Sequence, residues 1–320
     1  MLRQLIITVV GNVDSGKTQL LDTIRNTSIV ESEPGKITQS IGCSIIPMAI
    51  IKKICGKLLE QLKLQIKIPG FVIIDTPGHA AFTNLRKRGG NLADIAILVI
   101  DINEGVKPQT VECIDILKQY KTPFVVALNK IDLLPGWNSN PKTGLLDNIN
   151  KQSENAMLLL EKRLYEAVGR ISEFGFNAER FDRVEDYTKQ IAIIPVSAKT
   201  GEGLAELLMV ITGLSQKFLE QSLKVDVKGN AKGTILEVKE EKGLGTTVDV
   251  ILYDGSLKQN DIIVIGSLDE PVSTKVKALF EPLPLAEMRD KKAKFKSVKE
   301  VVAATGVKIS APELDKVVAG

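Results

Sequence analysis

Histidine is nearly absent from this chain of 320 residues: His79 is the only one. Cysteine is scarce too, and the spacing of Cys43, Cys55 and Cys113 matches no zinc-binding pattern. With one imidazole and three scattered thiols, a zinc site is not expected. An odd cysteine count without a signal-peptide layout predicts reduced thiols and a cytoplasmic location. Aromatic residues make up 4% of the chain, and there is a single tryptophan. No apolar run reaches the roughly 18 residues of a membrane helix, so no membrane partner is expected. Charge of one sign is also lacking. Lys and Arg number 42 against 39 Asp and Glu, a net of +3, so any contact with RNA must be local rather than driven by bulk charge. What remains, 44% hydrophobic and 25% charged residues, is the composition of an ordinary globular protein long enough for two domains.

One stretch organises the chain: Gly11-Asn12-Val13-Asp14-Ser15-Gly16-Lys17-Thr18. It fits the phosphate-cradling pattern G-x-x-x-x-G-K-[ST] at every fixed position. The apolar run Leu5 to Val10 precedes it and reads as a buried strand. Leu20, Leu21 and Ile24 follow at helical spacing. The loop is therefore expected at a strand-to-helix turn. Backbone N–H groups there converge on a phosphate, and the helix N-terminus adds partial positive charge. Lys17 is expected to reach the β- and γ-phosphates, and the Thr18 hydroxyl to coordinate Mg²⁺.

Two further elements give the first its meaning. The short strand Phe71 to Ile74 ends in Asp75-Thr76-Pro77-Gly78-His79. In that place Asp75 is expected to hold Mg²⁺, and the Gly78 N–H to sense the γ-phosphate; an Asp alone would be read as starting a turn. The strand Phe124 to Leu128 ends in Asn129-Lys130-Ile131-Asp132, an N-K-x-D pattern. The Asp132 carboxylate can accept from the N1–H and N2 amine of guanine, a donor pair that adenine does not offer. Asn129 is expected to tie the base edge to the phosphate loop, and the Lys130 stem to pack on the base. Ser197-Ala198-Lys199, after the strand Ile191 to Val196, supplies backbone for the guanine O6. The Ser-, Glu- and Gly-rich stretch 27–43 reads as a loop in which Thr38 is a candidate second Mg²⁺ ligand.

Between these elements the pattern predicts strands at 44–54, 62–68 and Ile95 to Ile100. It also predicts a helix opened by Pro108 and a long insert over 133–190. The insert carries a helix with Met157, Leu160, Leu164, Val168 and Ile171 on one face. A closing helix runs from Leu204 to Phe218. Alternating strands and helices predict an α/β fold with a doubly wound, mostly parallel sheet. Every candidate ligand falls at or just past a strand's C-terminal end, where open α/β sheets bind their ligands. After residue 222 the texture changes to short strands with glycine turns, near 233–238, 246–252 and 261–265. The expected domains are thus a nucleotide-binding unit over 1–222 and a smaller antiparallel β-barrel over 223–320. Residues 289–299 carry Arg289, Lys291, Lys292, Lys294, Lys296 and Lys299 around Phe295. This strip either touches RNA phosphates or is simply solvated.

Lys36 to Gly42, Asp75 to His79, Asn84 to Gly90, Asp101 to Thr110 and Lys121 to Ala127 closely resemble the translational GTPases. Within them the similarity is to the archaeal and eukaryotic initiation factor 5B family. The insert, including Pro135-Gly136-Trp137 and Gly175 to Arg183, resembles the 5B form. The resemblance implies a P-loop GTPase using GTP, GDP and Mg²⁺ and promoting ribosomal subunit joining. Its partners would be the ribosome, through rRNA and ribosomal proteins, and other initiation factors. Initiator tRNA would bind a C-terminal domain beyond this chain, which is then a fragment, expected to be monomeric. The resemblance maps His79 onto the residue that orients the attacking water. Val13 and Ile37 map onto an apolar pair flanking the path to the γ-phosphate, and Thr18 and Thr38 onto Mg²⁺ ligands. Asp14 maps onto an aspartate that holds a monovalent cation. Asn12 and Ser15 depart from the family, standing where many relatives carry histidine. A tRNA-delivering elongation GTPase is the competing reading, disfavoured by the insert and by the match at 84–90.

Overall fold

The computed structural model describes residues 2–26, 42–61, 65–75, 93–226, 229–241, 243–267, 270–283 and 295–319. The loop containing Ile37 and Thr38, the segment containing Gly78 and His79, and the basic residues 289–294 lie outside them. Seven strands form one sheet: β1 (Leu5–Gly11), β2 (Gly42–Pro47), β3 (Gly70–Asp75), β4 (Ile95–Asp101), β5 (Phe124–Asn129), β6 (Asn177–Arg180) and β7 (Gln190–Pro195), in the order β2-β3-β1-β4-β5-β7-β6. Every pairing is parallel except that of β2 with β3. The central strands are buried along their whole length because helices cover both faces. These helices are α1 (Lys17–Asn26), α2 (Met48–Cys55), α3 (Leu58–Gln61), α4 (Pro108–Gln119), α5 (Leu145–Ile149), α6 (Glu154–Ser172) and α7 (Leu204–Leu214). The fold is thus the α/β, doubly wound sheet read from the pattern of elements.

The strands expected at 44–54 and 62–68 are not as the pattern suggested. The first ends at Pro47, and α2 begins at Met48. Met48, Ile51 and Cys55 are its buried residues, spaced three and four apart, which is a helical stripe. Ile45, Ile50 and Ile54 had marked a strand there, β-branched residues being common in strands. Gly56, at φ +52°, ends that helix. Residues 65–69 adopt no regular structure, although Ile68 is buried and the Lys67 N–H donates to Gln216 Oε1 at 2.7 Å. The insert helix α6 stands where its periodicity put it, burying Leu160, Leu164 and Ile171; the Ser153 hydroxyl caps it by accepting from Ala156 N–H.

The C-terminal part is antiparallel. Its strands are β8 (Lys232–Glu241), β9 (Gly245–Asp254), β10 (Ser256–Lys258), β11 (Ile262–Ile265), β12 (Val272–Lys275), β13 (Ala278–Pro282), β14 (Phe295–Val298), β15 (Glu300–Val302) and β16 (Thr305–Ser310). Five of them order as β14-β13-β16-β9-β8, with β10-β15 and β11-β12 as separate ribbons. Together they make a small barrel around Val248, Val250, Leu279, Val307 and Ile309. Lys296 and Lys299 of the basic strip lie on and just after β14. A second apolar cluster joins the two parts: Ile6, Val72 and Ile74 of the large sheet meet Leu236, Ile251 and Ala304 of the barrel.

Candidate nucleotide-binding site

Because β1, β3, β4, β5 and β7 run parallel, their C-terminal ends share one edge of the sheet. The Gly11–Thr18 loop, Asp75, Asp101, Asn129–Asp132 and Ser197–Lys199 all gather there. The loop turns in conformations that side chains resist: Gly11 has φ +145°, Asp14 +63° and Gly16 +93°. Close approach adds a second constraint. A Cβ on Gly11 would stand 2.3 Å from Val99 O, and one on Gly16 would stand 2.3 Å from Asn129 Nδ2. Lys17 opens α1 and folds its amine back over the loop, donating to Gly11 O at 3.0 Å and Asn12 O at 2.6 Å. Its side chain is buried, and burial pushes its pKa below the ordinary lysine value. Cys113, Asp75 and Asp14 partly oppose that shift. A desolvated ammonium beside a helix N-terminus is a strong site for phosphate oxygens. Asp14 and Val13 are exposed at the loop tip, Asn12 is half-buried and Ser15 is buried, its hydroxyl donating to Asn12 O at 2.9 Å.

Thr18 stands in the first turn of α1, and the buried Asp75 lies close enough to influence Lys17. A hydroxyl and a carboxylate are hard oxygen donors, the kind that suits Mg²⁺. Among the described residues, no group of three or more His, Cys, Asp or Glu could cage a metal. The donor set therefore fits an ion that completes its shell with phosphate and water oxygens.

The other half of the site is built from side chains. Asn129 is 1% exposed. Its Nδ2 donates to Ser15 O at 2.8 Å, and its Oδ1 accepts from Ala198 N–H at 2.9 Å. One amide thus fastens the phosphate loop to the Ser197–Lys199 loop. Lys130 adopts φ +69°, which turns the chain and presents Asp132. The half-buried Asp132 accepts from Ser197 Oγ at 2.6 Å through Oδ1. Ser197 and Ala198 are buried, and Lys199 is exposed.

Four contacts were not visible in the motifs. Lys130 Nζ pairs with Asp101 Oδ2 at 2.7 Å, and Asp101 Oδ1 accepts from Asn103 N–H at 2.8 Å. Asp101 ends a strand as Asp75 does, and that was the available signal. The Thr23 hydroxyl, on the second turn of α1, donates to Ala198 O at 2.5 Å. Gln109 Oε1, near the start of α4, accepts from Val13 N–H at 3.0 Å. Neither Thr23 nor Gln109 belongs to a spaced pattern.

Comparison with known proteins agrees with this geometry. Residues 2–217 match the family model described as elongation factor Tu GTP binding domain. The chain is 59% identical over 319 residues to a probable translation initiation factor IF-2 of Methanopyrus kandleri, and 55% identical over 319 residues to that of Thermococcus sibiricus. In each case all of this chain aligns with 53% of the relative, so the chain spans about half the length of the curated proteins it matches. Among solved structures, GDP-bound aIF5B from Aeropyrum pernix superposes with a TM-score of 0.89 at 50% identity, over 100% of this chain and 53% of that one. A bacterial selenocysteine-specific elongation factor, 21% identical with a TM-score of 0.59 over 98% of this chain and 43% of its own, shares the fold. The chain therefore belongs to the family of the elongation factor Tu GTP binding domain, and over its whole length it is similar to archaeal initiation factors of the IF-2 and aIF5B kind.

Proposed function

We propose that this chain binds GTP and GDP with Mg²⁺ and hydrolyses GTP on the ribosome during translation initiation, where it promotes subunit joining. The observation that carries the reading is the Asn129 amide, which locks the phosphate loop to the Ser197–Lys199 loop. A base and a polyphosphate bound at once would span those two loops. Residues 1–222 would form the nucleotide-binding domain and 223–320 the second domain. Asp132 would accept from guanine N1–H and N2, and Ala198 and Lys199 would meet O6 with their backbone. Lys130 would pack its stem on the base while Asp101 holds its amine. The loop N–H groups and Lys17 would bind the β- and γ-phosphates. Thr18, Thr38 and Asp75 would hold Mg²⁺, which, when bound, offsets charge on the phosphates. Asp14 would hold a monovalent cation beside them. His79 would orient the attacking water past Val13 and Ile37, with Gly78 sensing the γ-phosphate. The relatives' names, translation initiation factors, support the ribosome as a partner; other initiation factors would be further partners, and initiator tRNA would bind outside this chain.

The test is single-turnover GTP hydrolysis by the full-length protein with and without assembled ribosomes. Slow turnover alone and a large stimulation by ribosomes are expected. His79→Ala should keep GTP and GDP affinity within a few-fold and lose most of the stimulated rate, since water positioning contributes orders of magnitude in such sites. A near-normal stimulated rate in that variant would reassign the role of His79.

A further inference from the structure

Glu202 stands outside every motif, yet it is 1% exposed and joins two segments distant in sequence. Its carboxylate accepts from Trp137 Nε1 at 3.2 Å through Oε2 and from Asn148 Nδ2 through Oε1. Trp137 and Asn148 both belong to the insert that follows Asp132, and Asn148 is itself buried. Among the described residues no cation pairs with Glu202. A buried carboxylate served by two neutral donors is costly to disturb, because either donor's loss leaves charge without compensation.

The backbone of the same residue shapes the loop assigned to the base. Ser197 N–H donates to Glu202 O at 2.9 Å, and Glu202 N–H donates to Thr200 Oγ1 at 3.4 Å. Thr200 N–H donates to Ser197 Oγ at 3.1 Å, and that hydroxyl donates to Asp132 Oδ1 at 2.6 Å. The next residue, Gly203, has φ +78°, and a Cβ on it would stand 2.2 Å from Pro195 O, so the loop has no slack on its far side. A continuous chain of contacts thus runs from the insert through Glu202 and Ser197 to Asp132.

We propose that Glu202 is a positioning residue for guanine selection: its contacts with Trp137 and Asn148 brace the Ser197–Thr200 loop, which in turn fixes Asp132. The proposal rests on the guanine-nucleotide reading above. It assigns the insert a task in base recognition, as the buttress behind the base-reading loop. None of these contacts itself touches the Gly11–Thr18 loop, which meets the braced loop through Asn129.

The experiment measures affinities of the purified chain for GDP and for inosine diphosphate, which lacks the N2 amine that Asp132 would read. Glu202→Gln keeps the shape but aims an amide donor at the Trp137 or Asn148 donor. The preference for GDP over inosine diphosphate should fall by about fivefold or more, the scale of one misplaced buried hydrogen bond. A role in folding alone would lower the melting temperature and leave that ratio unchanged. Trp137→Phe removes the Trp137 donor and keeps an aromatic ring in its place. It should lower the ratio in the same direction and decides the matter if Glu202→Gln does not fold. A wild-type ratio in a folded Glu202→Gln, or in Trp137→Phe where the first variant is unfolded, overturns the proposal. A wild-type chain with no preference for guanine over adenine nucleotides would instead overturn the underlying reading.

Discussion

The loop proposed to face phosphate and the cluster proposed to face the base share one edge of one sheet, but different forces hold them. The first is backbone. Gly11, Asp14 and Gly16 sit at positive φ, and Val99 O and Asn129 Nδ2 press against the two glycines where a Cβ would be. The second is a web of side chains: Asn129, Asp132, Ser197, Thr23 and Lys130 each end on a hydrogen bond or ion pair from another element. A phosphate offers oxygens in every direction, so converging N–H groups and one ammonium suffice. A base must be told from other bases, and that takes donors and acceptors fixed at an edge. The backbone half should fail abruptly when strained, and the side-chain half by degrees.

That contrast can be broken experimentally. Gly16→Ala should be the most damaging change, because it strains φ +93° and drives a methyl group into the Asn129 amide. Strain of this kind costs on the order of 1–3 kcal/mol before the clash is counted, so GDP affinity should drop roughly a hundredfold in calorimetric titration. Thr23→Val, which deletes one hydrogen bond of the base half, should cost about fivefold in the same titration. Equal losses in the two variants would erase the distinction.

A smaller effect sharpens it. Burial lowers the pKa of Lys17 in the free protein, and bound phosphate would raise it again. GDP affinity should therefore be full while Lys17 is protonated and decline as pH rises through its lowered pKa. Titrations at increasing alkaline pH should show that decline, and Asp132 substitutions should leave its slope unchanged. The smallest effect lies behind the base half. Burial, ahead of the charge on Glu202, raises the pKa of Glu206, whose Oε1 accepts from Leu145 N–H at 2.7 Å. A raised folded pKa means stability that is complete below the unfolded carboxyl value and lost as pH rises through the folded one. Glu206→Gln should thus melt higher than wild type at neutral pH, with the gain vanishing near pH 4. A gain that is the same at both pH values would remove the linkage.

Legibility in the sequence followed the same division. The phosphate loop could be read residue by residue, since its function needs local geometry and its glycines cannot be moved. Asn129, Asp132 and Ser197 were readable because each follows an apolar strand in a recognised order. Thr23, Gln109, Asp101 and Glu202 act across distances in sequence that no spacing encodes; only folding brings Thr23 to Ala198 or Trp137 to Glu202. The misread strand at 44–54 has a related cause. β-branched residues suggested extension, whereas the apolar spacing of Met48, Ile51 and Cys55 and the packing it allows decided for a helix.

The proposed selection of guanine depends most directly on Asp132. Asp132→Asn replaces an acceptor by a group that can donate to the C2 carbonyl of xanthine. Losing a charged hydrogen bond costs on the order of 2–3 kcal/mol. Titration of that variant with GTP and xanthosine triphosphate should show GTP affinity reduced roughly 30- to 150-fold and xanthosine triphosphate affinity increased. Unchanged GTP binding in the folded variant would contradict the account.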